Sequence, residues 1–186
     1  TRDDYIFIDP FDAFFFSNDT LGVCPPHPVQ LFDQSVGNIV LWDWNFDFGN
    51  PQSPIIAGVD SPSVGFVYQA PGLYSVFMVA THEDGCRDTA LREDYIFVAG
   101  PNGTYDVFPD AICEGEEICI STEILGAVSA IVLYDDGGTA VFDTTTLTGG
   151  VDSITSCYTY QAPNTYFPVV VLTDAQGCSF TLRDQD

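Results

Sequence analysis

The segment Asp4-Tyr5-Ile6-Phe7-Ile8 returns almost unchanged as Asp94-Tyr95-Ile96-Phe97-Val98, 90 residues later. Tyr68-Gln69-Ala70-Pro71 likewise returns as Tyr160-Gln161-Ala162-Pro163, 92 residues later. Each YQAP leads into an apolar, alternating run, 73–79 or 166–172, and then into Gly85-Cys86 or Gly177-Cys178. Cys24 and Cys113 match near the start of the two halves. Agreement at several points with near-constant spacing is a true internal repeat. Its period is the length of one small β-domain. The order of the motifs sets the main expectation. Leu91-Arg92-Glu93 precedes the second DYIF, whereas no DYIF follows Leu182-Arg183-Asp184. The second repeat reads as lacking its last segment, with a spare copy at the N-terminus. Such a chain is completed by the next copy of itself, or is one unit cut from a tandem array.

Composition narrows the fold class. Hydrophobic residues make up 46% of the 186 and aromatics 14%, enough for one large or two small cores. The runs between 16 glycines and 12 prolines are rich in Val, Ile, Thr, Phe and Tyr. This favours an all-β protein. The sequence shows no amphipathic helix, no apolar run long enough for a membrane span and no basic-apolar leader, and reads as a processed product or a fragment. The net charge is −23, and all four cations are arginines. Such a surface repels phosphate backbones, which argues against nucleic acid as a partner. With no lysine in the chain, isopeptide bonds from an ε-amine are excluded.

The repeated elements resemble the PKD group of immunoglobulin-like domains found in bacterial surface proteins. Trp42-Asp43-Trp44-Asn45-Phe46-Asp47-Phe48-Gly49 resembles a stretched form of that family's W-x-F-G-D-G turn, and Tyr134-Asp135-Asp136-Gly137-Gly138 a degraded one. YQAPGLYSVFMV at 68–79 resembles its Y-x-x-P-G-x-Y-x-V-x-L-x-V segment, and Gly85-Cys86 and Gly177-Cys178 its x-G-C turn. The resemblance spans nearly the whole chain. It implies two tandem immunoglobulin-like (PKD-type) β-sandwiches, the second completed by a strand from a neighbouring copy. The expected divisions are a donor or linker strand at 1–9, domain 1 at 10–99 and domain 2 at 100–186. The family places DYIF-like segments at the end of the last strand, G. Asp94–Val98 would then close domain 1, while the G strand of domain 2 begins at Ser179-Phe180-Thr181-Leu182. Asp4, Tyr5, Ile6, Phe7 and Ile8 of another copy would fill the open edge, with Tyr5 and Phe7 on one side and Ile6 and Ile8 on the other. Head-to-tail addition does not close on itself and yields a filament. Separate subunits and a continuous tandem chain both remain open. Arg2, Arg87, Arg92 and Arg183 flank these segments and are expected to orient the joints through carboxylate pairs.

Six cysteines among turns, with no C-x-x-C pair, indicate disulfides in an exported protein. The fold implied by the resemblance makes strands B and E neighbours, and so pairs Cys119 with Cys157. It places Cys24 and Cys113 at A–B turns and Cys86 and Cys178 after F–G turns. One scheme pairs them within domains, Cys24–Cys86 and Cys113–Cys178. However, these turns lie at opposite ends of such a sandwich, and bonded Cα atoms lie within about 7 Å. The other scheme pairs Cys24 with Cys178 in one chain, and Cys113 with Cys86 of another.

No catalytic constellation is present, and the chain is not read as an enzyme. His27 and His82 are expected as surface loop histidines. Asp43, Asp47, Asp135 and Asp136 near turns could hold a structural Ca²⁺, against a plain reading as solvated acidic loops. No other cofactor is expected. Thr20, Thr89, Thr144 and Ser153 each follow an aspartate in a D-[S/T]-x pattern that resembles a bacterial O-glycan acceptor, and Asn18 and Asn102 open N-x-T triplets. The favoured function is a structural subunit, or repeat unit, of an extracellular pilus-like filament at a bacterial surface, with itself as partner. The alternative is a carbohydrate-binding or spacer module of a secreted adhesin or hydrolase. It would require an exposed aromatic platform, for which Trp42 and Trp44 are the candidates.

Overall fold

The alternating runs of β-branched and aromatic residues form fifteen strands, and no helix occurs among the described residues. The computed structural model describes residues 11–143 and 145–183. These fall into two compact units. The first comprises 11–22, Pro26–Tyr68 and Gly72–Phe97; the second comprises Val23–Pro25, Gln69–Pro71 and the chain from Val98 onward.

The first unit holds β1 (Phe15–Ser17), β2 (Leu21–Gly22), β3 (His27–Asp33), β4 (Ile39–Asn45), β5 (Ile55–Val59), β6 (Ser63–Tyr68), β7 (Gly72–His82) and β8 (Arg87–Val98). One sheet has the order β1-β3-β6 and the other β2-β8-β7-β4-β5. Side chains alternate across the pleat, so every second residue is buried from His27 to Leu31 in β3 and from Val76 to His82 in β7. The core includes Phe15, Leu31, Trp44, Phe46, Val76, Met78 and Ile96, while Val98, the buried last residue of β8, falls in the second unit. Phe15 of one sheet meets Trp44 of the other edge to face at 5.2 Å. The sheets therefore interdigitate as a β-sandwich. Each such buried side chain contributes about 1.5–3 kcal/mol.

The second unit holds β9 (Asn102–Phe108), β10 (Glu117–Leu125), β11 (Ser129–Leu133), β12 (Thr139–Phe142), β13 (Val151–Thr159), β14 (Val169–Thr173) and β15 (Ser179–Leu182). Its sheets are β13-β10-β9 and β12-β11-β14-β15. Ile118, Ile120 and Ile124 of β10 pack on Ala130 and Val132 of β11 and on Val170, Leu172 and Leu182.

The YQAP motif makes the same bond in both units. The Tyr68 hydroxyl donates to the carbonyl of Phe46 at 2.9 Å, and that of Tyr160 to the carbonyl of Tyr134 at 2.9 Å. Burial pushes both phenols well above their usual pKa. The turns after β7 and β14 also match: Gly85 and Gly177 both lie at positive φ, 85° and 87°, which explains why each cysteine is preceded by glycine.

Two expectations are corrected inside these cores. His27 and His82 are buried strand residues, not loop residues: His27 opens β3 and His82 ends β7. Trp42 and Trp44 are buried to 5% and 0% exposure, because both point inward from β4 across a register shift. Neither offers an exposed ring.

Cys119 and Cys157 face each other as Cα partners on β10 and β13 and are bonded. In the second unit Cys24, carried by the segment Val23–Pro25, is bonded to Cys178 across a Cα–Cα distance of 5.4 Å. The scheme Cys24–Cys86 with Cys113–Cys178 therefore does not form. Cys86 and Cys113 carry free, exposed thiols.

Candidate assembly groove in the second unit

The segment carrying the second DYIF shows what that sequence does in a sheet. It forms the end of β8, between β2 and β7. Ile96 and Val98 point inward at 0% and 1% exposure, whereas Phe97 points outward at 45%. The Phe97 N–H donates to the carbonyl of Thr20 at 2.9 Å, and the Tyr95 hydroxyl accepts from the N–H of Ser17 at 2.9 Å. Asp94 enters with φ of 50°, a left-handed conformation that aspartate tolerates better than most residues, and its N–H donates to Ser75 Oγ at 3.0 Å. The strand is thus fixed on both edges and on its inner face.

The second unit diverges at the same place. β14 begins only at Val169, although its repeat counterpart β7 begins at Gly72. Pro168 stands where β7 has the fully buried Val76, and proline brings no N–H to a ladder. The β14–β15 ladder runs from Thr173↔Ser179 to Val170↔Leu182. Among the described residues, no strand continues β15 alongside 164–168 in the way that β8 continues along β7.

Three adjoining cavities occupy this position, of about 470, 360 and 350 Å³. The first two share Tyr105 and Arg183; the first and third share Val107, Asp110, Tyr166 and Pro168. They form one groove between β9 with 110–112 on one side and 164–169 on the other. Ile118 and Tyr160 contribute apolar surface to its depth. By the repeat, 110–112 correspond to β2 and its next residue, and 164–168 to the first half of β7. The groove therefore corresponds to the site that the DYIF end of β8 fills in the first unit.

Side chains partly occupy it. The Tyr105 hydroxyl donates to the carbonyl of Pro168 at 2.7 Å. The Tyr166 ring stacks on Tyr160 at 3.9 Å, and the Tyr166 hydroxyl donates to the carbonyl of Ala162 at 2.9 Å. Phe167 is 71% exposed, and its N–H donates to Asp135 at 3.1 Å. The lining mixes apolar side chains such as Val107, Ile118 and Pro168 with polar ones such as Asn164, Thr165 and Thr181; Asp110 is its carboxylate and Arg183 its guanidinium.

The other candidates are distributed differently. Asp4, Tyr5, Ile6, Phe7, Ile8, Arg2 and Thr144 lie outside the described residues. Arg87 and Arg92, expected at joints, are engaged within the first unit. Arg87 pairs with Asp43 at 2.5 Å. The Arg92 guanidinium lies 4.6 Å from the Phe14 ring centroid and 4.7 Å from that of Tyr95, a cation–π arrangement. Of the described arginines, only Arg183 borders the groove.

The four aspartates considered for calcium do not gather. Asp43 accepts from Gly58 N–H and Arg87, and Asp47 from Asn50 Nδ2. Asp135 accepts from Phe167 N–H, and Asp136 from Gly138 N–H and from the Tyr158 hydroxyl. That last bond raises the Tyr158 pKa. Protein donors thus take lone pairs a cation would need. Among the described residues the one close group of metal-ligating types is Glu117, Cys119 and Cys157, whose thiols are spent in a disulfide. Of the glycan candidates, Thr89 on β8, Ser153 on β13, Asn18 and Asn102 are exposed, and Thr20 is half-buried. Tyr105 and Val107 were not singled out from sequence, and Tyr166 to Pro168, expected as the start of an alternating strand, precede β14, which begins only at Val169. The signal was present: Pro168 breaks an alternating run that is continuous in the other repeat.

No family model and no curated protein matches the chain. Among solved structures it is similar to carbohydrate-binding modules from the β-sandwich superfamily, at 13% identity and a TM-score of 0.39, over 93% of this chain and 95% of that one. It is also similar to the fibronectin(III)-like modules of CbhA from Clostridium thermocellum, at 12% identity and a TM-score of 0.34, over 91% of each chain.

Proposed function

We propose that this chain is a structural subunit of an extracellular filament, built head to tail from PKD-type sandwiches. Asp4–Ile8 of one copy lies in the groove of the second unit of the copy before it. The observation that carries this reading is the contrast between the units. A DYIF strand fills one site, the corresponding site in the other unit is a groove lined by both apolar and polar residues, and the chain carries a second DYIF. In the proposed complex Ile6 and Ile8 take the inward positions that Ile96 and Val98 hold in β8. Burying two such side chains contributes about 1.5–3 kcal/mol each, and main-chain bonds to 110–112 and 164–168 add register. Arg183 at the border meets an incoming segment that begins Asp3-Asp4, a charge-assisted contact that orients more than it holds.

Two disulfides favour an oxidising, extracellular setting. The high negative charge keeps free subunits apart until a specific strand docks. The alternative of a sugar-binding module loses the platform it required, since Trp42 and Trp44 are core residues. Covalent glycans at Thr89 or Ser153 would decorate exposed strand faces.

The test removes residues 1–9. The shortened chain is expected to keep both cooperative unfolding transitions and to stay monomeric by light scattering, while the full chain forms filaments visible by electron microscopy. A peptide of residues 1–9 added in trans should raise the melting temperature of the second unit alone. Filaments that persist without residues 1–9 defeat the strand-donor assignment.

A further inference from the structure

We propose that Cys86 of one copy and Cys113 of the preceding copy form a disulfide that locks successive subunits covalently; this rests on the head-to-tail reading above. The argument starts from the bond already present. Cys24 is the repeat counterpart of Cys113, and Cys178 that of Cys86. Cys24 and Cys178 are bonded, while Cys86 and Cys113 are both exposed and free. One bonded pair and one free pair thus occupy the same two positions of the repeat.

The connection between the partners is also repeated. Asp94–Val98 closes the repeat that contains Cys24, and the chain then runs on into the repeat that contains Cys178. The rule for that joint is simple. The repeat that receives a DYIF strand contributes its early cysteine, and the repeat that follows the strand contributes the cysteine of its Gly-Cys turn. In the proposed filament the second repeat of one copy receives Asp4–Ile8 of the next. Its early cysteine is Cys113. The repeat following that strand carries Cys86. Cys178 lies 84 residues after Asp94, and Cys86 lies 82 residues after Asp4, so the covalent path is of closely similar length. The matching strand motif and Gly-Cys turn, at a closely similar chain separation, should bring the two Cα atoms to a separation like the 5.4 Å of the bonded pair.

The oxidation is an ordinary exchange with a disulfide oxidant, such as oxidised glutathione. The Cys86 thiolate attacks the oxidant, forming a mixed disulfide and releasing one thiolate. The Cys113 thiolate then attacks Cys86 Sγ and releases the second. Two protons leave the protein and two electrons reduce the oxidant. Exposure of both thiols permits each attack. The strand supplies reversible docking and specificity; the disulfide then prevents dissociation.

The test uses full-length filaments oxidised with a glutathione couple, denatured and run without reductant. The expected result is a ladder of multiples of 20.3 kDa that collapses to monomer with reductant. Mass spectrometry should find one linked peptide pair containing Cys86 and Cys113. Cys86→Ser and Cys113→Ser should each abolish the ladder, yet leave filaments intact by electron microscopy at neutral pH. Wild-type filaments that yield only monomer overturn the cross-link and leave the filament reading standing. A ladder that survives in either single variant, or linked Cys86–Cys86 or Cys113–Cys113 peptides, also overturns it. Absence of wild-type filaments, with Ile6→Asp/Ile8→Asp behaving like wild type, defeats the filament reading itself.

Discussion

In the first unit β8 runs for 12 residues and seals the sandwich with Ile96; in the second, β15 runs for four and a groove lies beside 164–168. The two units otherwise keep the same internal marks. Both retain the YQAP tyrosine bond, the tyrosine stacking next to it and the positive-φ glycine before a cysteine. The difference is therefore local to one edge and does not reflect general decay of the second repeat. Within that edge, the changed residues are those a continuous ladder would need. Pro168 replaces Val76, and Phe167 replaces Ser75, whose hydroxyl accepts from the Asp94 N–H at the start of the DYIF segment of β8.

The largest expected effect tests whether the DYIF strand is a core element where it is already present. Ile96→Ala should destabilise the first unit by about 2–5 kcal/mol and leave the transition of the second unit unmoved. Urea denaturation followed separately for each transition measures this. A shift in both would break the distinction between a sealed and an open unit.

A middle-sized effect concerns what the units share. Tyr68→Phe and Tyr160→Phe each leave a buried carbonyl without its donor, and each should cost its own unit about 1–3 kcal/mol. The same residues predict the behaviour in alkali. Their folded pKa values are raised by burial, so the native state keeps protons that an unfolded tyrosine loses near pH 10. The stability tied to those protons is complete below about pH 10 and is lost as pH rises towards the folded values. Each Phe variant should flatten that decline for one unit. Equal sensitivity of both variants would show that the open edge leaves the YQAP region undisturbed.

The smallest effect separates a joint residue from a structural one. Arg92→Ala removes a cation lying over Phe14 and Tyr95 and should cost the first unit about 0.5–1 kcal/mol, without changing filament yield. Arg183→Ala should do the reverse, slowing assembly with little change in subunit stability. Thermal melts and turbidity growth curves measure the pair; a filament defect in Arg92→Ala would return that residue to the joint.

Much of the architecture was legible because it depends on local pattern. Alternation in 73–79 and glycine before Cys86 and Cys178 specify a strand and a turn through neighbours close in sequence, and the repeated YQAP marks a tyrosine whose bond recurs within each repeat. The groove was harder to see. The displaced DYIF pointed to this edge, but one wall of the groove is β9 with 110–112 and the other is 164–169, more than fifty residues further along the chain. Partners across such gaps are chosen by packing. The histidines were misplaced for the same reason. His27 follows Cys24-Pro25-Pro26, which reads as loop, yet it opens β3 and is covered by the fold.

The sequence by itself determined that the chain is all-β, that it is duplicated, that its cysteines sit at matched positions of the repeat and that one DYIF stands apart from the segment it matches. These follow from period, composition and spacing, which act over a few residues or over one repeat. Only the tertiary structure decided which cysteines meet, that both tryptophans point inward, that Arg87 and Arg92 are held inside the first unit and that the edge beside Pro168 is a groove. Each of these is a question of distance between residues far apart in the chain. The hydrophobic burial that settles such distances is non-directional, and it leaves no mark in the order of the residues it brings together.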